Sequence, residues 1–367
     1  MISASSIGPR FGIWAPYRGP WVIDAAHEKL EANFDLARET VLSAEKAGFD
    51  TVLFAQHTIN PIDPAEEILE AWTAAAGLAA LTERIEIIAA IKPRLYHPVV
   101  LAKMMLGVED VSRGRFAINV VNAWFKPELE RSGIGFPPHN ERYAYGREWL
   151  EIVRALASGE RVTFRGRHFQ VDDYVLRPAS RFRARPRIYT GGESAEGIAY
   201  AADFADGWFI NGRPIEDILP LIEAARAQPR QGTPLAFGIT GFSLTRPTDA
   251  EAQEELQRLY TLQDAFYGDR RRDMQKHIDP DSVALKSASG YPGVKAIGAN
   301  GGVLPGFVGD YDSVARRIAA FFQAGVETFL LSFYPLVEEQ ERFAAEIAPR
   351  VRRLVGAQAA PRLAARA

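Results

Sequence analysis

Eight short apolar runs rich in Val, Ile and Phe alternate with longer amphipathic ones along this chain. That rhythm narrows the possible folds more than any other feature of the sequence. The strand candidates are Arg10–Ala15, Thr51–Ala55, Ile85–Ile91, Phe116–Val121, Arg187–Thr190, Gly207–Ile210, Leu235–Thr245 and Thr328–Ser332. Between them, Asn33–Ala47, Ala65–Leu81, Val99–Val111, Arg142–Ala157, Ser194–Ala202 and Asp312–Ala324 repeat apolar residues every three or four positions. That is the spacing of helices with one buried face. Strands alternating with helices in this way predict an α/β fold, specifically a closed parallel (β/α)8 TIM barrel. A doubly wound open sheet competes with it, but would carry a Gly-rich dinucleotide turn after its first strand. Here the first strand runs into Ala15-Pro16-Tyr17-Arg18-Gly19-Pro20, with no GxGxxG.

Two segments interrupt the rhythm. Arg161–Pro178 reads as a β-hairpin turning at Arg165-Gly166. Tyr267–Pro305 is polar, charged and Gly-rich, and predicts a mobile insertion loop of the kind that serves as a lid. The expected organisation is one barrel domain over residues 1–355, with insertions near 160–180 and 265–307 and a flexible tail at 356–367. Barrels of this size form single domains, although 367 residues divided by a typical domain length would suggest two.

Charge and composition exclude several classes of function. The 43 basic and 46 acidic residues are interspersed, for a net charge of −3, so neither nucleic acid nor an anionic membrane is an expected partner. Without cysteine there is no disulfide, thiolate metal site or cysteine nucleophile. Met1 to Pro9 lack the basic-then-apolar order of a signal peptide, and no run is long enough to span a bilayer, so a cytoplasmic location is expected. Walker, HExxH and GxSxG motifs are all missing. His27 with Glu31, and His277 with Asp281, have helical spacing but no evident third ligand, so no metal is expected. A chain without a hydrolytic constellation suits a cofactor that brings its own reactivity.

The stretch from Arg115 to Trp149 places chemistry on this scaffold. An apolar strand ends at Asn119 and Asn122, and Trp124, His139 and Tyr143 follow in the next loop and helix. Ligands in such barrels bind at the C-terminal ends of strands. Later, Ile188-Tyr189-Thr190-Gly191-Gly192-Glu193-Ser194 reads as strand, Gly-Gly turn and helix start, an arrangement whose backbone N–H groups can cradle phosphate.

Further motifs carry a resemblance. They are Ala-Ala-Ile-Lys-Pro at 89–93, His97-Pro98, Ser-Arg-Gly-Arg at 112–115, Ile-Asn-Val-Val-Asn-Ala-Trp-Phe-Lys-Pro-Glu at 118–128 and Glu141-Arg142-Tyr143. Phe-Arg-Gly at 164–166, Gly-Gly-Glu-Ser at 191–194, Phe307-Val308-Gly309 and Leu331-Ser332-Phe333-Tyr334-Pro335 continue the series. Together they resemble the bacterial luciferase-like flavin-dependent monooxygenases, in the alkanesulfonate/dimethylsulfone monooxygenase branch, over roughly residues 10 to 355. The resemblance implies reduced FMN as cofactor, O2 and a small molecule as substrates, a separate flavin reductase as partner, and a homodimer or homotetramer.

Position by position, it places Ala89 beside the isoalloxazine and Asn119 at the ring's polar edge. His139 and Tyr143 would bind the ribityl phosphate, and Gly192, Glu193 and Ser194 would cradle it. Asn119, Trp124 and Tyr334 are the implied catalytic residues, and Trp124, Asn211, Thr240 and Phe242 the implied substrate pocket. Relatives often carry two serines where this chain has Glu193-Ser194, so the Glu193 carboxylate is expected to point away from a phosphate dianion. Alkanesulfonate enzymes carry an arginine and a histidine on the seventh strand, a tryptophan after the sixth and an arginine in the insert. Those positions here are Thr240, Phe242, Asn211 and Asn300. Losing both arginines points away from an anionic sulfonate and toward a neutral organosulfur compound such as a sulfone, oxygenated with C–S cleavage. Left open are oxygenation of a ring amide or other nitrogen compound, alkanesulfonate oxygenation, a deazaflavin-dependent dehydrogenase, and a non-catalytic flavin-binding barrel.

Overall fold

The strands of the computed structural model, which describes residues 8–24, 31–277, 295 and 297–364, are buried on both faces because each is walled by helices outside and by the barrel interior inside. The barrel strands are β1 (Arg10–Trp14), β2 (Thr51–Phe54), β3 (Glu86–Ile91) and β4 (Phe116–Val120), then β7 (Arg187–Gly191), β8 (Gly207–Ile210), β9 (Ala236–Phe242) and β12 (Val326–Ser332). They close in the order β1-β12-β9-β8-β7-β4-β3-β2, all parallel, so every strand's C-terminal end opens on the same face. These are the eight strands expected from the sequence. Four further strands lie outside the barrel: β5 (Val162–Arg165) with β6 (Gln170–Tyr174) as an antiparallel hairpin, and β10 (Leu244–Arg246) with β11 (Val308–Asp310) as a parallel pair.

Helices begin and end where local chemistry directs. In α1 (Phe34–Ala47) the Asn33 side chain accepts from Leu36 N at 2.9 Å, and Gly48 closes the helix in the left-handed region. Then come α2 (Ala71–Leu81), α3 (Pro98–Val111), α4 (Lys126–Arg131), α5 (His139–Ala157) and α6 (Ala195–Phe204). Two elements depart from the reading of the sequence. A helix, α7 (Ile215–Arg226), runs through Pro220, over a stretch to which the sequence reading assigns no element. A 27-residue helix, α8 (Asp249–Gln275), takes in the charged stretch after Tyr267, which had been assigned to the insertion loop. Most of the remainder of that loop, 278–294 and 296, lies outside the described residues, as do 1–7 and 365–367. The C-terminal backbone is helical over Ala348–Ala364, through most of the segment expected as a flexible tail. Among the described residues no helix is long and apolar enough to cross a membrane.

Side-chain alternation along the strands builds two cores. One set points outward under the helices, including Ile87, Ala89, Phe116 and Ile118. The other fills the barrel with Trp14, Leu53, Ile88, Ala117, Tyr189, Phe209 and Leu330. The interior takes two stacked rings, Tyr189 and Phe209 at 4.9 Å, because small residues face them. A Cβ at Gly238 would sit 2.4 Å from Phe209, so an alanine there would collide with the ring. Below this layer the barrel floor is ionic. Arg10 donates to Glu86 at 2.7 Å, and the Tyr189 hydroxyl donates to the same carboxylate at 3.1 Å.

Candidate active site

A cavity of about 340 Å³ opens at the C-terminal ends of the strands. Its wall takes residues from nearly every strand end, as a parallel barrel dictates. Of the residues singled out in the sequence, Asn119, Trp124, His139, Tyr143, Gly192, Glu193, Ser194, Asn211 and Thr240 line it together.

The other three do not line it. Ala89 packs in the outer core, and its neighbour Ala90 takes the wall position, because consecutive residues of a strand face opposite sides. Phe242 and Tyr334 lie behind the wall, in a separate apolar cluster with Val22, Leu244, Leu256, Leu259, Tyr260 and Ile297. Phe242 is fully buried there because the chain at Gly298 crosses over it: a Cβ at Gly298 would come within 2.8 Å of its ring.

One end of the cavity is a glycine turn that leads straight into the start of a helix. Gly192 has φ +111°, which glycine adopts freely, and a Cβ there would lie 2.5 Å from the Tyr143 hydroxyl. Trp208 Nε1 donates to Gly192 O at 3.0 Å and pins the turn. Ser194 caps α6, its Oγ accepting from Gly197 N at 3.1 Å, so the helix presents its N-terminus to the cavity. The His139 ring lies 4.9 Å from the Tyr143 ring, tilted by 50°. Burial pushes the Tyr143 phenol above its ordinary value, so it remains a hydrogen-bond donor.

Glu193 turns aside from this turn. Its carboxylate accepts from Asn211 N at 2.7 Å and Asn211 Nδ2 at 3.1 Å, and pairs with Arg213. Burial pushes this carboxyl up, while Arg213 and the Asn211 donors oppose the shift. The residue that replaces a serine therefore ties the turn after β7 to the loop after β8.

A group that sequence reasoning did not assemble sits at the ends of β2, β3 and β4, which are neighbours in the barrel. Lys92 Nζ donates to Gln56 O at 2.7 Å, lies 3.1 Å from His57 Nδ1, and pairs with Glu128. Glu128 also accepts from Thr58 N at 2.6 Å. Burial lowers His57 to about 4, with Lys92 adding to the effect. Burial likewise lowers Lys92 to about 8, against the pull of Glu128. For Glu128, burial acts upward, and contacts with His57 and Lys92 more than reverse it, to about 2. Near neutral pH the group thus holds a cation, an anion and a neutral imidazole. Lys92 and Glu128 stood within quoted motifs, and His57 stood three residues past a strand. Lys92 and His57 follow the ends of β3 and β2 closely, whereas Glu128 reaches them from α4, eight residues past β4.

On this same side the wall is aromatic. Trp21 meets Trp14 at 6.5 Å and Tyr17 at 6.0 Å, and His57 meets Trp124 at 5.5 Å. His27 and Asp281, from the spaced acid–imidazole pairs, lie outside the described residues. Among the described residues no three His, Asp or Glu side chains gather as a metal site.

Comparison with known proteins agrees with this architecture. Residues 10–328 match the family model described as luciferase-like monooxygenase. An FMNH2-dependent dimethylsulfone monooxygenase of Pseudomonas fluorescens (strain Pf0-1) is 28% identical over 351 residues, 94% of this chain and 95% of that protein. One from Pseudomonas putida is 27% identical over 351 residues, 94% and 96% of the two chains. The crystal structure of DmoA from Hyphomicrobium sulfonivorans superimposes with a TM-score of 0.77 at 18% identity, covering 94% of this chain and 88% of that one.

Proposed function

The chain belongs to the luciferase-like monooxygenase family, and from that premise we propose that it is a two-component monooxygenase. It uses reduced FMN and O2 to oxygenate a small, neutral organosulfur substrate of the sulfone class, with C–S cleavage. The observation that carries the reading is the turn at Gly191–Ser194. An anion-ready turn and helix start face a cavity whose opposite wall is aromatic. Support for the substrate class comes from the dimethylsulfone named for the relatives and from Thr240 and Asn300 on the wall, at the positions where sulfonate enzymes carry arginines.

The residues present fit FMN. A Cβ at position 192 would crowd the cradle, and the buried Oδ1 of Asn119 has no hydrogen-bond partner among the described residues. Gly192 and Ser194 backbone N–H groups, the Tyr143 hydroxyl and His139 would hold the phosphate and ribityl chain. Asn119 and Ala90 would meet the ring. Bound reduced FMN supplies two electrons to O2, so that one oxygen atom enters the substrate and the other leaves as water. For dimethyl sulfone the balance is one O2 and one reduced FMN consumed, with methanesulfinate, formaldehyde, water and oxidised FMN formed. The chain's contribution is to bind, orient and exclude water. Trp14, Tyr17, Trp21 and Trp124 keep the substrate side dry, which favours oxygenation over loss of reducing power to hydrogen peroxide.

A separate reductase delivers the reduced flavin in the cytoplasm, and the chain pairs into a homodimer or homotetramer through its early helices. Exposed Leu42, Leu81, Val100 and Val111 on α1–α3 support that assembly, and light scattering of the purified protein checks it. The carboxamides of Asn119 and Asn122 on the wall favour a second reading, oxygenation of a ring amide or other nitrogen compound. The deciding experiment is an anaerobic fluorescence titration with reduced FMN, oxidised FMN and a deazaflavin, followed by single turnover with dimethyl sulfone and O2. Selective binding of reduced FMN with release of formaldehyde is expected. Preference for the deazaflavin, or no sulfone consumption, would overturn the reading.

A further inference from the structure

Lys92 reaches the cavity wall just past the end of β3, and each hydrogen of its ammonium has a place to go. An ammonium carries three N–H donors and no acceptor. Three acceptors surround Nζ: Gln56 O at 2.7 Å, a carboxylate oxygen of Glu128, and His57 Nδ1 at 3.1 Å. Glu128 is supplied in turn, its other oxygen accepting from Thr58 N at 2.6 Å and from Thr58 Oγ1 at 3.3 Å. Lys92, His57 and Glu128 are all buried, where a hydrogen without an acceptor is costly.

That count decides which nitrogen of His57 holds its proton. The imidazole is neutral near neutral pH, because burial and the Lys92 charge both oppose protonation. A neutral imidazole has one N–H and one bare nitrogen. Were the hydrogen on Nδ1, it would confront a Lys92 hydrogen. The other acceptor within its reach, Glu128 Oε2, lies farther off at 3.4 Å. Nδ1 is therefore the bare nitrogen, and Nε2 carries the hydrogen. The ring lines the cavity, with Tyr17 parallel to it and Trp124 at its edge. Among the described residues no group bonds Nε2.

We infer that Lys92 is a positioning residue that locks His57 as the Nε2–H tautomer, so that the imidazole presents a hydrogen-bond donor to the substrate. The inference rests on the function proposed above and deepens it. A sulfone has two acceptor oxygens and no donor, so it bonds to an N–H and is repelled by a bare nitrogen lone pair. Without Lys92 the hydrogen can move to Nδ1, where Glu128 accepts it, and the substrate meets the lone pair of Nε2.

The test uses the full chain with isotope-labelled histidine nitrogens, read by NMR, unaltered and as Lys92→Met. The chain has six histidines, and the His57 signals are those missing from His57→Asn. Near neutral pH the unaltered protein is expected to show the hydrogen on Nε2 and a bare Nδ1, and Lys92→Met the reverse. Dimethyl sulfone binding, read by tryptophan fluorescence, is expected to weaken about tenfold in Lys92→Met, the worth of one hydrogen bond. Reduced-FMN affinity under anaerobic conditions is expected to stay within about twofold. A hydrogen on Nδ1 of the unaltered protein overturns the inference, whether or not the variant folds. So does a tautomer that ignores Lys92→Met, or sulfone binding that the substitution leaves unchanged. If the unaltered protein binds no sulfone, the proposed function fails, and the nitrogen signals still judge the hold of Lys92 on His57.

Discussion

Replacing Lys92 with methionine isolates the energetics of the buried group between β2, β3 and β4. Lys92 is 3% exposed and the Glu128 side chain fully buried, so the substitution strands a carboxylate away from water. Glu128 would keep Thr58 N at 2.6 Å and the contact with His57 at 3.4 Å, but no cation. Breaking one side of a buried pair costs about 3–5 kcal/mol, and this geometry belongs in that range. The sign of the pH dependence follows from the same residues. Glu128 sits at about 2, below its ordinary 4.5, so its stabilisation is complete above pH 4.5 and is lost as pH falls toward 2. Without Lys92, one of the two groups that hold the carboxyl down is gone while His57 remains, so the carboxyl moves upward and the variant takes up its proton earlier than the unaltered protein. The destabilisation relative to the unaltered protein is therefore largest near pH 7.5 and shrinks below about pH 4.5. Urea unfolding followed by tryptophan fluorescence at pH 7.5 and 4 measures it. The double variant Lys92→Met, Glu128→Gln should be less destabilised than Lys92→Met alone, because no stranded charge remains. A loss under about 1 kcal/mol, or one independent of pH, would refute the reasoning.

Other outcomes follow from single contacts. Gly192→Ala forces a side chain at φ +111° to within 2.5 Å of the Tyr143 hydroxyl, and should weaken reduced-FMN binding by about tenfold or more while circular dichroism stays unchanged. Thr240 Oγ1 accepts from Gly212 N at 3.2 Å and donates to Asn300 O, so Thr240→Val should cost about 1–3 kcal/mol and speed proteolysis near 297–304. His57 falls from 6.5 to about 4, so the unfolded chain binds a proton in that window that the folded one refuses. Stability should fall as pH drops from 6.5 to 4, and His57→Asn should flatten that part of the curve.

The barrel was legible in the sequence because its strands are buried on both faces and so appear as unbroken apolar runs, 87–91 being the clearest. What hid was structure whose signal is not local. Pro220 within α7 argues for a break when only neighbours are considered, yet packing of Ile218 and Ile222 holds the helix. The charged run after Tyr267 has no apolar stripe of its own and is helical as the continuation of α8. Of the site, the residues at strand ends could be read because barrel topology puts them on one face. Ala89 was misplaced by a single step of the pleat, an error that reverses which side a residue faces. Lys92, His57 and Glu128 meet only once the sheet has closed, and no spacing along the chain records that.

The ionic floor under the barrel has a kinetic consequence. With Arg10, Glu86 and Tyr189 plugging the lower end and the Tyr189–Phe209 stack above them, the described residues leave the mouth as the route for both flavin and substrate. Two passengers sharing one doorway must queue. If the flavin reaches across the mouth from the Gly192 turn, it enters before a substrate that seats against the aromatic wall, and it leaves after the product. Such a queue sets the form of the rate equation before any chemistry begins.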